Sequence, residues 1–590
     1  MQPKVQNFNL KQIIFEPIIL KMKNKNLHTL GILFVAAVGL VSCNGLGKMV
    51  KKADSVTYTL TPQPLEMHGD TVAVNISGKY PPKYFGKKVV LTVTPKLGDH
   101  ALESLTLVGE KAAGAGTKIA FKAGGSFSYS KKIAYTPDMK NADLKISATG
   151  VVKSKSKEIP AKKIGDGTII TPLLTQPDEK AILGPDKFVK VLPVSAELEI
   201  FFIINESTVR PSEISRKETK DFKAFTKRAE NKGFTMKGMS VSAYASPDGE
   251  LSKNANLAEE RAKHTIKAMM EELKKDKVNA GKDESFYTKA TTAEDWEGFK
   301  KLMEASDIKD KDLILRVLTM YTDGDQREKE IKNLSQTWTV LKEKILPKLR
   351  RSVSVLNCDS MARTDDRISQ LAISSPDSLN NEEILYAATL TKDLNTKMNI
   401  YKAAEKRFPN DWRAANNVAY IALMQNKADD AQAELQKADK LSPSNPAVMN
   451  NMGIVSRWKG DRKAAKDYYA KAGSSTETSY NLGVIAILDG KYNDAISKMG
   501  SANTFNAALA KVLAGQGDAA SQTLDNSPGK DDAISYYLKA IIGARTGKTD
   551  MAISNLKAAI GKDGAYKDMA RLDLEFFKLR DNADFKSITQ

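Results

Sequence analysis

Cysteine and histidine are almost absent from this chain, whose 590 residues include two Cys and four His. With Cys43 and Cys358 alone there is no disulfide framework, so the fold must hold by packing. His28, His68, His100 and His264 are scattered, and no His/Cys cluster has metal-ligand spacing. Neither a Gly-x-Ser-x-Gly elbow nor a phosphate-cradling Gly-rich loop occurs. Carboxylates are plentiful but form no recognisable constellation. The expectation is a protein that is not an enzyme and that uses no metal or cofactor. Long apolar runs are missing too: residues 30–43 fall short of the roughly 20 residues that a comfortable membrane span needs, and no second stretch is long enough.

Hydrophobic residues make up 41% and charged residues 27%, ordinary for soluble globular units, and the length suggests about three to five of them. Lys plus Arg number 90 against 71 Asp plus Glu, a formal net charge of +19. Such a surplus attracts anionic polymers or lipid heads, or simply keeps a Lys-rich surface solvated.

The stretch from Leu30 to Cys43 is apolar, follows Lys23 and Lys25, and ends Leu40-Val41-Ser42-Cys43. A basic stretch, a short apolar core and small residues form the pattern of an export signal. The last four residues resemble the lipobox of bacterial lipoproteins. That resemblance implies cleavage before Cys43 and acylation of it, and several acyl chains anchor stably where one does not. Plain secretion and a retained amino-terminal span are the competing readings. A start at Met22 gives a signal of ordinary length, so residues 1–42 are set aside from fold reasoning. Export removes nucleic acid as a partner. Asn44-Gly45-Leu46-Gly47-Lys48 contains no acid, whereas surface-export signals of Bacteroidetes-type bacteria look acid-rich. The expected place is therefore the periplasmic face of the outer membrane. Residues 43–55 read as a tether. Cys358, without an intrachain partner if Cys43 carries lipid, is expected to be a buried thiol; an intermolecular bridge is the alternative.

Residues 56–190 alternate as strands do. Val56–Leu60, Val72–Ile76, Val89–Val93, Lys118–Phe121, Ser126–Tyr129 and Leu144–Ser147 each place apolar residues at every second position. Gly, Pro and Asp separate them, which predicts a β-sandwich. From residue 196 the period changes. Leu198–Ile204 reads as a buried strand, Ser212–Lys232 as a helix, Phe234–Ala245 as a strand and Asn256–Lys274 as a helix. This βαβα order predicts a layered α/β sandwich.

Within that unit stand Ser246, Asp248, Gly249, Asn254, Leu257 and Arg261. Together with Phe201–Asn205, Val209–Pro211 and Leu349–Val355, they resemble the OmpA-like carboxy-terminal domain over residues 196–357. The resemblance implies peptidoglycan binding, in which an Asp and an Arg fifteen positions apart grip diaminopimelate. Arg261 matches the Arg, and a guanidinium suits a carboxylate. The family Asp falls on Ser246, and Asp248 is the acid nearest to it in sequence. Residues 275–347 stand where the family has a brief connection. They read as a helical insertion, with helices at Thr292–Ser306, Asp312–Tyr321 and Leu334–Leu346.

Residues 380–590 are helical and repetitive. Ala419 and Gly453 are 34 positions apart, and Gly483 follows 30 later; Ala431, Ala465 and Ala495 keep a parallel step. The pattern resembles the tetratricopeptide repeat, of which about six degenerate units fit. An array of this kind is a superhelix with a concave groove that takes peptides or partner domains. Trp412, Asn416, Asn417, Asn450, Asn451 and Asn481 fall on first helices, which line the groove in that family. Paired side-chain amides can hydrogen-bond a peptide backbone, or else cap helices and bridge repeats. The functional expectation is an envelope lipoprotein that touches peptidoglycan and docks a protein partner, with a pure assembly scaffold for a secretion or fimbrial machine as the alternative.

Overall fold

The structure, a computed structural model, describes residues 45–590. Cys43 and the export segment lie outside the described residues. Two compact units divide the chain: Pro185–Arg407 forms one, and the residues up to Gly184 join Phe408–Gln590 in the other.

The expected tether is folded: Gly45–Lys51 is a helix, and its Leu46 and Met49 are buried. Both belong to the same apolar cluster as Val74, Leu91 and Leu144. A free leash would have exposed two large apolar side chains at a site where a core stood ready to cover them. The strands beyond form two sheets around that cluster. Thr57–Thr61, Leu65–His68, Thr71–Tyr80, Gly125–Ala134 and Thr168–Ile169 make one sheet; Val90–Leu97, Leu105–Gly109, Asp143–Val152 and Lys155–Asp166 lead the other. Alternation is carried through: Thr71–Tyr80 buries every second residue from Val72 to Tyr80. Strand pairing stops at Ile169 rather than near residue 190. From Ile170 to Gly184 the chain leaves the sandwich.

Phe408–Gln590 is helical throughout. Five hairpins run from Trp412 to Lys562, followed by short helices at Ala565–Leu572 and Ala583–Thr589. Small residues sit where partner helices cross: at Gly453 a Cβ would overlap the Tyr469 ring, and at Gly483 one would stand 2.7 Å from Met499 Cγ. Ala419, Ala431, Ala465 and Ala495 are fully buried at matching positions. The hairpin turns need a left-handed residue, which Asn426, Gly460, Gly490, Gly515 and Gly547 supply. The sandwich docks on this array through the turn at Gly69 and Asp70 and through Glu66, which lies 3.9 Å from Arg545. Arg462 grips Asp70 with both terminal nitrogens, at 2.8 and 2.9 Å, while Tyr492 packs on His68.

Pro185–Arg407 is built on a four-stranded sheet in the order Val191–Phe201, Arg351–Met361, Thr235–Tyr244, Tyr287–Thr292. The last two are parallel, joined by the helix Leu251–Lys275; the other pairings are antiparallel. That helix and Lys217–Asn231 cover the sheet, with Phe222, Met269 and Leu273 meeting Leu198, Val241 and Leu356. Cys358 is buried in this layer, and burial pushes its thiol up. Residues 275–347 are not wholly an insertion, because Tyr287–Thr292 is a strand of the sheet itself. Its one buried residue, Tyr287, gave no alternation to read. The helices after it carry their own core of Phe299, Met303, Ile314, Leu341 and Leu346. Residues 380–407, read from sequence as the start of the repeats, cluster with this unit.

Candidate functional site: the repeat groove and the sheet end

Four first helices present one Asn each at corresponding positions: Asn417, Asn451, Asn481 and Asn506. Each is buried, and each holds one residue of the segment 176–184 by both its N–H and its C=O. The Gln176 amide donates to Asn506 Oδ1 at 2.8 Å, and Asn506 Nδ2 donates back to the Gln176 carbonyl at 2.8 Å. Lys180 meets Asn481 in the same way at 2.7 and 3.0 Å. Ile182 meets Asn451 at 2.8 and 2.8 Å, and Gly184 meets Asn417 at 2.7 and 2.9 Å. Contacts at residues 180, 182 and 184 have the two-residue period of extended chain, which turns the same edge outward at every second residue. The segment runs against the order of the repeats.

The second Asn of each pair completes the ladder. Asn450 Nδ2 donates to the Lys180 carbonyl at 2.8 Å, and Asn416 Nδ2 donates to that of Ile182 at 3.0 Å. Asn416 and Asn450 also accept from Asn451 and Asn481, each at 3.0 Å, so the amides are tied to one another. An amide side chain carries donor and acceptor side by side, which is what a peptide edge requires. Trp412 stands half-buried in the first turn of its helix and makes no hydrogen bond to the segment among the described residues. Asn506 was not legible as a member: the step from Asn481 is 25 residues, short of the 34 and 30 that separate Asn417, Asn451 and Asn481.

Side chains of the segment are gripped as well. Asp178 accepts from Tyr480 Oη at 2.6 Å and from Asn506 Nδ2 at 2.5 Å. Burial pushes its carboxyl up, against the opposing pull of Lys180. Glu179 is buried, pairs with Arg457 and accepts from Trp458 Nε1 at 2.9 Å. Lys180 Nζ lies 4.6 Å over the Tyr480 ring. Gly184 lies so close to Arg413 that a Cβ would stand 3.0 Å from the Arg413 Cβ. An open cleft of about 1070 Å³ remains beside the segment, with Tyr420, Met424, Trp458 and Tyr480 in its wall.

The helical half is an array of antiparallel helix hairpins. Solved structures with matching helices include the hetero-tetramer Cut9–Hcn1 of the APC/C (14% identity, TM-score 0.31), of which this chain spans 46% while 35% of this chain is covered. A tetratricopeptide repeat protein from Parabacteroides merdae matches at 14% identity and TM-score 0.28, over 36% of this chain and 91% of that one. PilW, described as a widely conserved type IV pilus biogenesis factor, matches at 15% identity and TM-score 0.26, over 39% and 100%. No protein-family model and no curated protein matches the chain.

In the other unit, the residues singled out from sequence gather at one end of the four-stranded sheet. Arg261 is fully buried in the helix Leu251–Lys275. Its Nε, Nη1 and Nη2 donate to the carbonyls of Glu206, Tyr244 and Ile203 at 3.0, 2.9 and 3.2 Å. Burial, with the Arg350 charge nearby, pulls its guanidinium down to about 10, still charged at neutral pH. Ser246 donates to Asp248 and accepts from Arg350 Nε at 3.2 Å. Asp248 pairs with Arg350 Nη2 at 3.1 Å, and both side chains are about one-tenth exposed. Asn254 Nδ2 ties the loop by donating to the Ser246 and Gly249 carbonyls, each at 3.2 Å. Arg261 thus does not pair with Asp248; Arg350, which the sequence pattern places only in a strand, does. Beside this cluster lies an open groove of about 810 Å³ with Phe202, Ile203, Leu302, Lys301 and Lys348 in its wall.

Proposed function

We propose that this protein is a non-catalytic scaffold of a bacterial envelope, held at a membrane through lipid on Cys43, on which another protein docks. One observation carries the scaffold reading: its repeat groove is filled by its own residues 176–184, held at both polar edges by Asn417, Asn451, Asn481 and Asn506. A groove filled in this way welds sandwich and repeats into one body. The surface left for a partner is the cleft alongside the segment, where Met424 is 53% exposed. The partner is a protein rather than a small molecule, because the cleft is wide, open and lined by both aromatic and polar side chains. A photo-reactive residue at Met424 tests this in intact cells. A discrete adduct that disappears in the Cys43→Ser chain supports the reading; no adduct, or one unchanged by release from the membrane, contradicts it.

Wall contact is the second reading. It is supported by the convergence of Ser246, Asp248, Asn254, Arg261 and Arg350 beside an open groove. Against it stands the engagement of those groups with one another and with backbone carbonyls, which leaves the Arg261, Asp248 and Arg350 charges already committed. Sedimentation with purified peptidoglycan separates the two: the parent protein stays in solution under the first reading and pellets under the second.

A further inference from the structure

We propose that the end of the β-sandwich nearest Cys43 is a docking face for an anionic lipid surface, a proposal that rests on Cys43 as the membrane anchor. Covalent geometry sets the starting point. Asn44 alone stands between Cys43 and Gly45, so their Cα atoms are at most about 7 Å apart. Gly45 opens a helix whose Leu46 and Met49 are locked in the sandwich core. An acyl chain on Cys43 would therefore press this end of the sandwich against the bilayer with no leash between them.

That end is rich in lysine. The helix itself exposes Lys48 and Lys51, and Lys52 follows directly. Gly45 lies against Gly86 and Val89, which places the exposed Lys88 beside the helix. Lys111 joins them, because its amide donates to the Lys87 carbonyl at 2.7 Å. Val90 pairs with Val151, and Val152 with Lys155, so the hairpin tip with Lys153 and Lys155 stands at the same end. The acids there are few: Glu110, paired with Lys87 at 3.3 Å, then Asp54 and Glu158. At the opposite end the signs are mixed, with Lys145 and Lys163 paired to Asp143, and Lys163 also to Asp166.

The repeats are attached away from the lysines. Strand Thr71–Tyr80 runs the length of the sandwich. Before its first residue lies the turn through Gly69 and Asp70 that meets Asp489 and Arg462. Its last residue, Tyr80, packs on Tyr84, whose hydroxyl donates to the Met49 carbonyl at 3.0 Å. Ten strand residues separate the two, on the order of 30 Å. The lysine end is thus left open while the far end carries the array. Clustered lysines beside a lipid anchor supply the second signal that a stable membrane attachment uses.

Vesicle sedimentation of the full chain carrying Cys43→Ser tests the face without any acyl group. It is expected to bind phosphatidylcholine vesicles that contain phosphatidylglycerol, to ignore phosphatidylcholine alone, and to be released by high salt. Lys51→Glu, Lys52→Glu, Lys88→Glu and Lys153→Glu together should weaken binding by tenfold or more. The same charge change at Lys440, Lys463, Lys530 and Lys557 on the repeats should leave it nearly intact. No binding, equal binding to neutral vesicles, or equal loss from the two sets overturns the proposal. Mass analysis of the parent protein judges the anchor separately: missing acyl groups with intact vesicle binding removes the anchor reading alone.

Discussion

Asn451 holds Ile182 by both of its polar edges, across 269 positions of sequence, with two hydrogen bonds of 2.8 Å. Removing that amide by Asn451→Ala leaves the Ile182 N–H without its acceptor and the Asn416 Oδ1 without its donor, while the Ile182 carbonyl keeps only the Asn416 Nδ2 donor. Each unsatisfied group costs about 1–3 kcal/mol. The variant is expected to lose about 2–4 kcal/mol in urea unfolding and to become sensitive to proteolysis within 176–184. Trp412→Ala, which takes no hydrogen bond from the segment, should leave proteolysis there unchanged.

Asp178 gives a pH signature. Burial raises its carboxyl above the ordinary aspartate range. A group raised in the folded state contributes stability that is complete below its unfolded pKa and is lost as pH rises through the folded one. The parent should therefore lose stability over that window relative to Asp178→Asn. Urea midpoints measured from acid to neutral pH should converge at the acid end and favour Asp178→Asn at the neutral end.

The Asp248–Arg350 pair is nearly covered, with both side chains about one-tenth exposed. Asp248→Asn strands a buried guanidinium and should cost about 3–5 kcal/mol. Adding Arg350→Met removes the stranded charge and should restore a large part of the loss. A double-mutant cycle by denaturant unfolding reads the coupling directly.

Small residues at the helix crossings make opposite predictions by position. Gly453→Val drives a side chain into the Tyr469 ring and should cost about 1–3 kcal/mol or more. Gly561→Ala meets nothing within 4 Å on an exposed helical face, and should gain about 0.4–1 kcal/mol. Thermal melting of the two variants gives shifts of opposite sign.

Much of the architecture was readable where period and burial coincide. Alternation located Thr71–Tyr80 and Asp143–Val152, because each buries one face. Recurring Ala and Gly located the repeats, because a Cβ at Gly453 or Gly483 would collide. The paired Asn residues were readable as groups able to bind a peptide backbone. What binds them was not: Gln176–Gly184 has no period of its own, and its partners are more than 200 positions away. Leu46 and Met49 read as tether because a helix of seven residues is too short for its apolar positions to show a period. Arg350 was hidden for a different reason. Its adjacency to Arg351 pointed to a strand, whereas the charge that decides its role, Asp248, is 102 positions away.

Hydrogen exchange along residues 176–184 tests the filled groove most directly. Amides of Lys180, Ile182 and Gly184 donate to buried Asn oxygens at 2.7–2.8 Å, while those of Ala181 and Leu183, on the other edge, do not. The expected result is alternating protection in the full chain, slow at 180, 182 and 184 and fast between them, which Asn451→Ala relieves at Ile182 first. Uniform exchange at the rate of an unstructured peptide would contradict the account.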